Sequence, residues 1–393
     1  MLFPVYIPTL LLAFAQGLTL YTLPLYAKAL SHGSLTLAGL AVAAAGIGTA
    51  LTDLPAGLVL TRFGQRRLML VGAGSAGIVA LLIAFIHAIG PLVLLRIISG
   101  IGTSLWSLSR MAYVTSATRP NERGRILSTF GGINRIGLLA GPLTGGFIAG
   151  RFGLASPFLF TGVCSLAAAM FATVSVSSIA DRTTLSSRQF VHWKNLRLVL
   201  HDHWFPLLTA GSAQVFAQMI RNGRQFILPI YGASVLGLSV EMIGIVGTVG
   251  SVLDVLMFIP AGFVMDHLGR KYASVPSFFL LALGMGLIPF THNVFTFLLV
   301  AIFLGAGNGI GAGTMMTLGA DLAPPEAIGE FLGMWRLISD SGSSAGPMLI
   351  GGLSAITSLS TSVFCLAGIG FLAALTLYLF VPETLVRHKT VAT

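Results

Sequence analysis

The chain reads FIPAGFVMDHLGRKY from Phe258 to Tyr272, and it reads DLPAGLVLTRFGQRR from Asp53 to Arg67. A constant offset of 205 residues superimposes the Pro-Ala-Gly run and the later glycine of the two stretches. Each stretch ends a long apolar run and carries a short basic loop before the next run. The chain is therefore one unit written twice, and this loop marks the same place in both copies.

The repeat extends well beyond the loop. At the same offset, Leu23–Tyr26 matches Leu228–Tyr231, Gly100 and Gly102 match Gly305 and Gly307, Pro120 matches Pro325, and Gly141-Pro142 matches Gly346-Pro347. Each copy holds six apolar runs, an even number, so both copies enter a membrane in the same orientation. That pattern predicts a parallel repeat about an axis along the membrane normal.

Composition sets the class of protein. Only 9% of the 393 residues are charged, whereas a soluble domain carries about 25%, and the mean hydropathy is +0.91. Apolar runs of about 20 residues recur along the chain, the length that crosses ~30 Å of hydrocarbon. Such runs must be helices, because lipid offers no partner to backbone polar groups. We therefore predict an all-α polytopic membrane protein.

Twelve transmembrane helices are predicted, in two pseudo-symmetric six-helix bundles. The spans are 4–27, 37–60, 68–88, 91–114, 126–149, 156–178, 205–230, 239–262, 273–291, 294–318, 328–352 and 360–382. The chain then divides into an N-terminal bundle (1–179), a charged linker (180–203) and a C-terminal bundle (204–393). The N-terminal apolar run is interpreted as a retained first span, not a cleaved signal peptide.

The basic residues predict the orientation. Segments that share one side contain Arg62, Arg66, Arg67, Arg119, Arg123, Arg125, Arg182, Arg188, Lys194, Arg197, Arg270, Lys271, Arg387 and Lys389. Only Lys28 and Arg151 fall on the other side. Basic loops stay cytoplasmic, so we expect a multi-pass cell-membrane protein with both termini and the linker inside. The net charge of +10 then reflects topology, and no nucleic-acid partner is expected.

The loop motif resembles that of the major facilitator superfamily. The second copy places Gly262, Asp266, Gly269, Arg270 and Lys271 at the family's spacing between spans two and three of a half, with His267 where the family usually has a basic residue. The first copy has Thr61 in place of the aspartate. The resemblance covers the whole chain and implies alternating access, with the second-half loop as a conformational latch. It also implies that spans one, four, seven and ten line the cavity.

Span five carries Gly137, Gly141 and Pro142, which resemble the motif of proton-coupled drug antiporters in that family. Glycines four apart let two helices approach closely, and proline removes a helical hydrogen bond. The motif is therefore predicted to form a packed, bent helix at a moving interface. The alternative is that these glycines serve packing alone, and span eleven has a similar Gly342-x-x-x-Gly346-Pro347.

Charged residues inside the spans are the candidate switch. At 1.5 Å per residue, Asp53 and Arg336 both lie roughly 12 Å from the cytoplasmic ends of spans two and eleven, which the family places side by side. We expect them to pair, and by the same reasoning Arg135 to pair with Asp254. These pairs would bias the access state, unless they are permanent ties between helices.

Candidate site residues follow from the remaining polar groups. The predicted substrate contacts are Arg135, Arg221, Arg224, Gln16 and Gln218. Asp254 and Asp340 are the predicted proton-coupling groups, because a buried carboxylate can change its charge and an arginine cannot. For Arg96 we expect a snorkelling side chain, and for Arg110 a contact with lipid headgroups.

The function predicted from these residues is secondary active transport, as proton-coupled export of a drug-like or amphipathic compound. Uptake or exchange of an organic anion is the alternative, favoured by the deep arginines. A lipid scramblase or a sensor is less favoured, and no enzyme activity, metal or cofactor is expected because no GxxxxGK[ST], HExxH or CxxC motif occurs. The expected partners are a small-molecule substrate, protons or another coupling ion, and the bilayer, with the chain acting as a monomer.

Overall fold

A computed structural model describes residues 3–117, 123–175 and 201–385. The described part of the first half contains α1 (Phe3–Thr19), α2 (Thr22–Leu30), α3 (Leu35–Phe63), α4 (Gln65–Ile83), α5 (Ile89–Ala117), α6 (Arg123–Phe152) and α7 (Ser156–Ser175). That of the second half contains α8 (Trp204–Ser234), α9 (Val240–His267), α10 (Arg270–Leu287), α11 (Val294–Ile310), α12 (Thr314–Leu322), α13 (Ile328–Ile356) and α14 (Leu359–Phe380). Most of the predicted linker, 180–203, lies outside the described residues.

These helices form twelve spans in two six-helix bundles, as predicted. Span one is the bent pair α1 and α2, which meet at 46°, and span ten consists of α11 and α12. Seven helical stretches of the described chain are long and apolar enough to cross a membrane, or eight with the bent pair. Of the other four spans, α7 is apolar over only Ser156–Ala172. The remaining three are α6, α8 and α13, which contain the charged residues Arg135, Arg221, Arg224, Arg336 and Asp340.

The two halves repeat the same packing scheme. In the first half α1 packs on α6 and α7, α3 on α5, and α4 on α5 and α7. The second half pairs the equivalent spans: α8 with α13 and α14, α9 with α11, and α10 with α11 and α14. Between the halves, the main contacts join α3 to α13 and α6 to α9, two seams that a pseudo-two-fold axis exchanges.

The helix ends are also repeated. Ser34 begins α3 and its hydroxyl accepts a hydrogen bond from the Leu37 amide, while Ser239 does the same for Met242 at the start of α9. These N-caps are 205 residues apart. At the other ends, Gly64 and Gly269 have φ of +79° and +129°, values that glycine adopts without strain. Each glycine turns the chain into the next helix within one or two residues.

The outer surface is apolar, as lipid contact requires. Large side chains such as Leu51, Phe85, Ile259 and Phe295 are at least 66% exposed, whereas a soluble monomer rarely exposes a broad apolar surface. We refer below to the basic face, where the α3–α4 and α9–α10 loops lie, and to the opposite face, where the α2–α3 and α8–α9 loops lie.

Candidate functional site in the cavity between the halves

A central cavity lies between the two bundles in two adjoining compartments of about 480 and 710 Å³. Both compartments are lined by first-half and second-half residues, and Arg110, Asn134 and Asn222 line both of them. The larger compartment reaches Val114 on α5 and Gly131 on α6, toward the basic face. The cavity therefore extends toward that face.

Three of the contacts between the halves lie toward the opposite face. Lys28 Nζ is 2.5 Å from the hydroxyl of Ser234, and Thr36 Oγ1 donates to the carbonyl of Gly351 at 3.0 Å. Deeper in the membrane, the ring of Tyr21 packs on Gly247. These contacts close the cavity on the opposite side of the protein.

The α3–α13 seam contains the first expected ion pair. Arg336 Nε lies 2.8 Å from Asp53 Oδ2, although its N–H is not aligned with that oxygen, which accepts no hydrogen bond. The hydroxyl of Ser104 on α5 donates to Asp53 Oδ1. Asp340, one helical turn along α13 from Arg336, has its carboxyl group close enough to that of Asp53 for the two to interact.

The α6–α9 seam contains the second expected ion pair. Arg135 Nη1 donates to Asp254 Oδ1 at 3.1 Å, and the guanidinium carbon lies 4.4 Å from the centre of the Phe258 ring. Asn308 on α11 donates to Asp254 Oδ2 at 2.6 Å. Both oxygens of Asp254 therefore have an aligned donor, unlike those of Asp53.

The two ion pairs occupy similar positions in the two seams, but they are displaced from each other by one helical turn. The repeat equivalent of Asp254 is Thr49, four residues before Asp53, and the equivalent of Arg135 is Asp340, four residues after Arg336. The α3–α13 pair therefore lies about 6 Å closer to the basic face. Where the second seam has Arg135, the first seam has the acid Asp340.

The supporting donors Ser104 and Asn308 were not identified from the sequence. They occupy nearly the same place in the two repeats, on spans four and ten, next to the Gly102 and Gly307 positions. A polar residue at that level in both copies was the available signal.

The predicted substrate contacts fall into two groups. Arg135, Arg224 and Gln16 line the larger compartment. Arg221 lines neither compartment: its Nη2 donates to the Gly311 carbonyl at 2.7 Å, at the break between α11 and α12. Gln218 also lies outside the lining and donates to the Ser339 hydroxyl at 2.9 Å.

Two arginines differ from their predicted placement. Arg96 was expected to snorkel and Arg110 to contact headgroups, but both line the cavity. Arg96 lies seven residues inside α5, which begins at Ile89, and Arg110 sits 5.9 Å from the centre of the Phe130 ring. The reason is the rotation of α5, which turns both side chains inward. Within the described chain, no carboxylate lies within ion-pair distance of either one.

The span-five motif faces both of its neighbours. A methyl group at Gly141 would meet the backbone of Gly17 on α1, within the same half, and one at Gly137 would meet Ala13. On its other side, the Pro142 carbonyl packs on Gly244 of α9, across the second seam. The motif therefore packs α6 tightly inside its half and also forms part of the contact between halves.

The α9–α10 loop of the second half is held by contacts with residues of the same half. Arg270 Nε lies 3.0 Å from Asp321 Oδ2 on α12, and the amides of Arg270 and Lys271 donate to the carboxylate of Glu383 at 2.9 and 3.0 Å. Gly269 is the turn residue described above, and a methyl group at Gly262 would meet open space. Asp266, the predicted latch acid, is exposed and makes no ion pair among the described residues.

A short stretch of sequence that resembles a hydrolase motif lies inside a helix. Residues 342–346 read GSSAG, which matches GxSxG, but that motif acts on a strand-to-helix turn, whereas this one lies inside α13. The Ser344 hydroxyl donates to the carbonyls of Ala43 and Asp340. Among the described residues, no group of three His, Cys, Asp or Glu side chains is placed to hold a metal ion.

Comparison with solved structures places this arrangement among known folds. The structure superposes on the crystal structure of a D-xylose-proton symporter with a TM-score of 0.79, covering 97% of each chain at 21% sequence identity. At that identity the likeness concerns the fold.

Comparison of sequences identifies the family. The chain is 20% identical over 361 residues to an uncharacterized MFS-type transporter of Methanocaldococcus jannaschii, covering 91% of this chain and 92% of the relative. It is 26% identical over 365 residues to "Multidrug resistance protein MdtG" of Salmonella arizonae, covering 89% and 87%. The family model described as Major Facilitator Superfamily matches residues 5–241 and 212–392. The chain belongs to the major facilitator superfamily of membrane transporters.

Proposed function

We propose that the protein is a proton-coupled secondary transporter that exports a drug-like or amphipathic organic compound by alternating access. The observation that carries this proposal is the charged central cavity, which both halves line and which contacts between the halves close toward the opposite face. Seams of small residues and two ion pairs let the halves rock as rigid bodies around it. The multidrug name of a relative that matches nearly the full length supports an amphipathic substrate.

The proposed orientation follows from the basic loops. Arg62, Arg66, Arg67, Arg270 and Lys271 lie at one face, and basic loops stay in the cytoplasm. The cavity then extends to the cytoplasmic side of the cell membrane, the side from which an exporter loads. Because the two halves of one chain complete the cavity, we propose a monomer as the working unit.

The roles of the site residues are part of the proposal. Arg135, Arg224 and Gln16 contact the substrate, while Arg221 supports the broken span ten and Gln218 supports α13 from outside the lining. Asp53, Arg336, Arg135 and Asp254 bias the access state, and Asp254 and Asp340 are the acids available for proton coupling.

Transport in proteoliposomes tests the coupling. With an imposed pH gradient, a panel of cationic, neutral and anionic fluorescent dyes should include at least one that moves against its own gradient, and a protonophore should stop it. Asp340→Asn should abolish this movement. The matched control is Asp202→Asn, an exposed acid on the basic side, which should transport normally. Dye movement that does not depend on the pH gradient would contradict proton coupling.

Transport of an organic anion is the second candidate, because two cavity arginines have no acidic partner. Arg96 and Arg110 add positive charge to the lining, and arginine binds carboxylate and phosphate through its planar fork. Uptake of a carboxylate-bearing dye should fall about tenfold or more in Arg96→Gln or Arg110→Gln, since a charge-assisted hydrogen bond contributes ~1.5–3 kcal/mol. Its methyl ester should be unaffected, and the exposed Arg151→Gln should change neither.

A further inference from the structure

Two carboxyl groups from opposite halves meet in the α3–α13 seam. Asp53 belongs to α3 and Asp340 to α13, two helices that pack closely, and Arg336, which lies 2.8 Å from Asp53, is one helical turn from Asp340, so that the two carboxyl groups interact. Asp53 Oδ2 and Asp340 Oδ2 are both buried, and neither accepts a hydrogen bond from any described residue. Buried polar atoms without a partner are rare in folded proteins and call for an explanation.

A proton would complete both groups at once. Two ionised carboxylates in contact repel each other, so such pairs hold one proton between them. The protonated group then acts as the donor and the other as the acceptor, so one proton gives each carboxyl group a hydrogen bond. We propose that Asp53 and Asp340 share one proton across the seam, and that loss of this proton separates α3 from α13.

The surrounding charges support this assignment. Arg336 is the cation in contact with the pair and balances one of the two acids. Ser104 on α5 is a neutral donor to Asp53. The next cations, Arg110 and Arg96 on α5, face the cavity, and α8, which packs on α13, presents the neutral Gln218 to Ser339. Without the shared proton, two carboxylates would face one arginine.

The second seam provides the contrast. Asp254 has an arginine donor on one oxygen and Asn308 on the other, so it is satisfied as a carboxylate. The geometry therefore selects the Asp53–Asp340 pair, and not Asp254, as the site of the mobile proton. Asp340 also lines the smaller compartment, which gives the proton a path from water.

This inference rests on the proposed proton coupling and specifies how a proton would move the halves. Its test measures the seam directly. The native cysteines Cys164 and Cys365, which are free, are replaced by alanine. Spin labels are attached at Leu37→Cys on α3 and Ile356→Cys on α13, two exposed positions near the opposite face.

The distance between the labels is then measured from mildly acidic to mildly alkaline pH. We expect one short distance at acidic pH and a growing population of longer distances as the pH rises. Asp340→Asn and Asp53→Asn should each abolish this response. Asp340→Glu, which keeps a titrating group, should restore it, and the matched control Asp202→Asn, at an exposed acid on the basic side, should keep it.

The outcomes separate this inference from the proposed function. A wild-type distance that does not respond to pH, or a response that persists in both Asp340→Asn and Asp53→Asn, would overturn the shared proton. If transport nevertheless requires a pH gradient, proton coupling stands and only the site is wrong. If the seam responds to pH but no gradient drives transport, the shared proton stands and proton coupling fails.

Discussion

Asp254 shows how two hydrogen-bond donors hold a partly buried carboxylate in place. It has two donors from two different helices, α6 and α11, and the arginine donor also stacks on Phe258. Two of these partners lie in the same half as Asp254, and the third lies across the seam. The ion pair therefore joins the two halves, and both oxygens of its carboxylate have a hydrogen-bond donor.

Breaking this tie should destabilise the protein measurably. For Arg135→Gln we expect a loss of ~1–3 kcal/mol in the free energy of unfolding, less than the ~3–5 kcal/mol of a fully buried pair, because the two side chains are 24% and 20% exposed. Arg135→Lys should recover little, since lysine cannot both stack and present a planar fork. Denaturant unfolding in detergent measures this.

The charge-swapped protein, Arg135→Asp with Asp254→Arg, provides the control. It should regain part of the lost stability if the pair itself is what matters. No recovery, together with a harmless Arg135→Gln, would show that the pair contributes nothing across the seam.

For single residues, the depth in the membrane could be predicted from the sequence, but the direction in which the side chain points could not. Counting residues from the helix ends gave the levels of Asp53 and Arg336 correctly, because the helical rise is fixed. Which way Arg96, Arg110 and Arg221 point depends on how α5 and α8 are rotated by packing. That rotation is a property of the whole bundle, and no single span records it.

Among the helices, α6 allows a test of close packing, because a second glycine on the same helix serves as the control. A methyl group at Gly141 would collide with the backbone of Gly17, whereas one at Gly132 on the same helix would meet nothing within 4 Å. Gly141→Ala should therefore cost ~1–3 kcal/mol by overpacking, and Gly132→Ala should be neutral or slightly stabilising because alanine favours helix.

Thermal unfolding of the two purified variants compares them directly. Equal stability of Gly141→Ala and Gly132→Ala would mean that α1 and α6 are not as closely packed as described. A further loss of transport at equal stability would instead indicate that the motif acts in the motion.

The C-terminal end of α14 adds a pH-dependent contact with α10. Burial alone would raise the pKa of Glu383, but the backbone amides of Leu385, Lys271 and Arg270 outweigh it and hold the pKa below the usual 4.5. A carboxylate with a lowered pKa stabilises the folded contact above its unfolded pKa. That contribution is lost as the pH falls through the lowered value.

Hydrogen exchange at the Arg270 and Lys271 amides measures this contact. Wild type should protect both amides at neutral pH and lose protection only below about pH 4.5, where glutamate takes up protons. Glu383→Gln should show weaker protection already at neutral pH, and the matched Glu241→Gln, at the opposite face, should not. Unchanged protection in Glu383→Gln would refute the contact.

Helix breaks mark the limit of prediction for elements. The predicted spans 4–27 and 294–318 are each two helices in the structure, broken near Leu20 and at Gly311–Gly313. Neither break recurs at the equivalent place in the other half, so the sequence repeat could not reveal them. At the second break Gly313 has φ of +80°, and Arg221 satisfies the Gly311 carbonyl, a role that its sequence position alone did not suggest.

For the whole molecule, the architecture was the most predictable part. Composition and span length predicted helices, and the constant offset of 205 residues predicted two equivalent bundles. The pairing of α3 with α13 and α6 with α9 came from the family resemblance and agrees with the observed seams. What could not be predicted is which face is closed, because the proposed alternating access requires the same sequence to support more than one access state.

The closed face yields the last prediction. Lys28 and Ser234 join the halves at the opposite face, with Nζ and Oγ 2.5 Å apart. In a protein with Cys164 and Cys365 replaced by alanine, Lys28→Cys and Ser234→Cys should be bridged by a short bis-methanethiosulfonate, which joins the two thiols through reducible disulfides, and transport should stop because the halves cannot separate there. Reduction should restore transport, since alternating access requires rocking of one half against the other.

The control joins two residues that both belong to the second half. Ser354 Oγ and Ser362 Oγ lie 2.9 Å apart on α13 and α14, so Ser354→Cys and Ser362→Cys should also cross-link but leave transport intact. Substrate binding from the basic face should survive the Lys28–Ser234 bridge, because the cavity extends toward that face. Turnover that continues at full rate across a complete bridge would mean that the halves do not need to part at this face, which would remove alternating access by rocking as the mechanism.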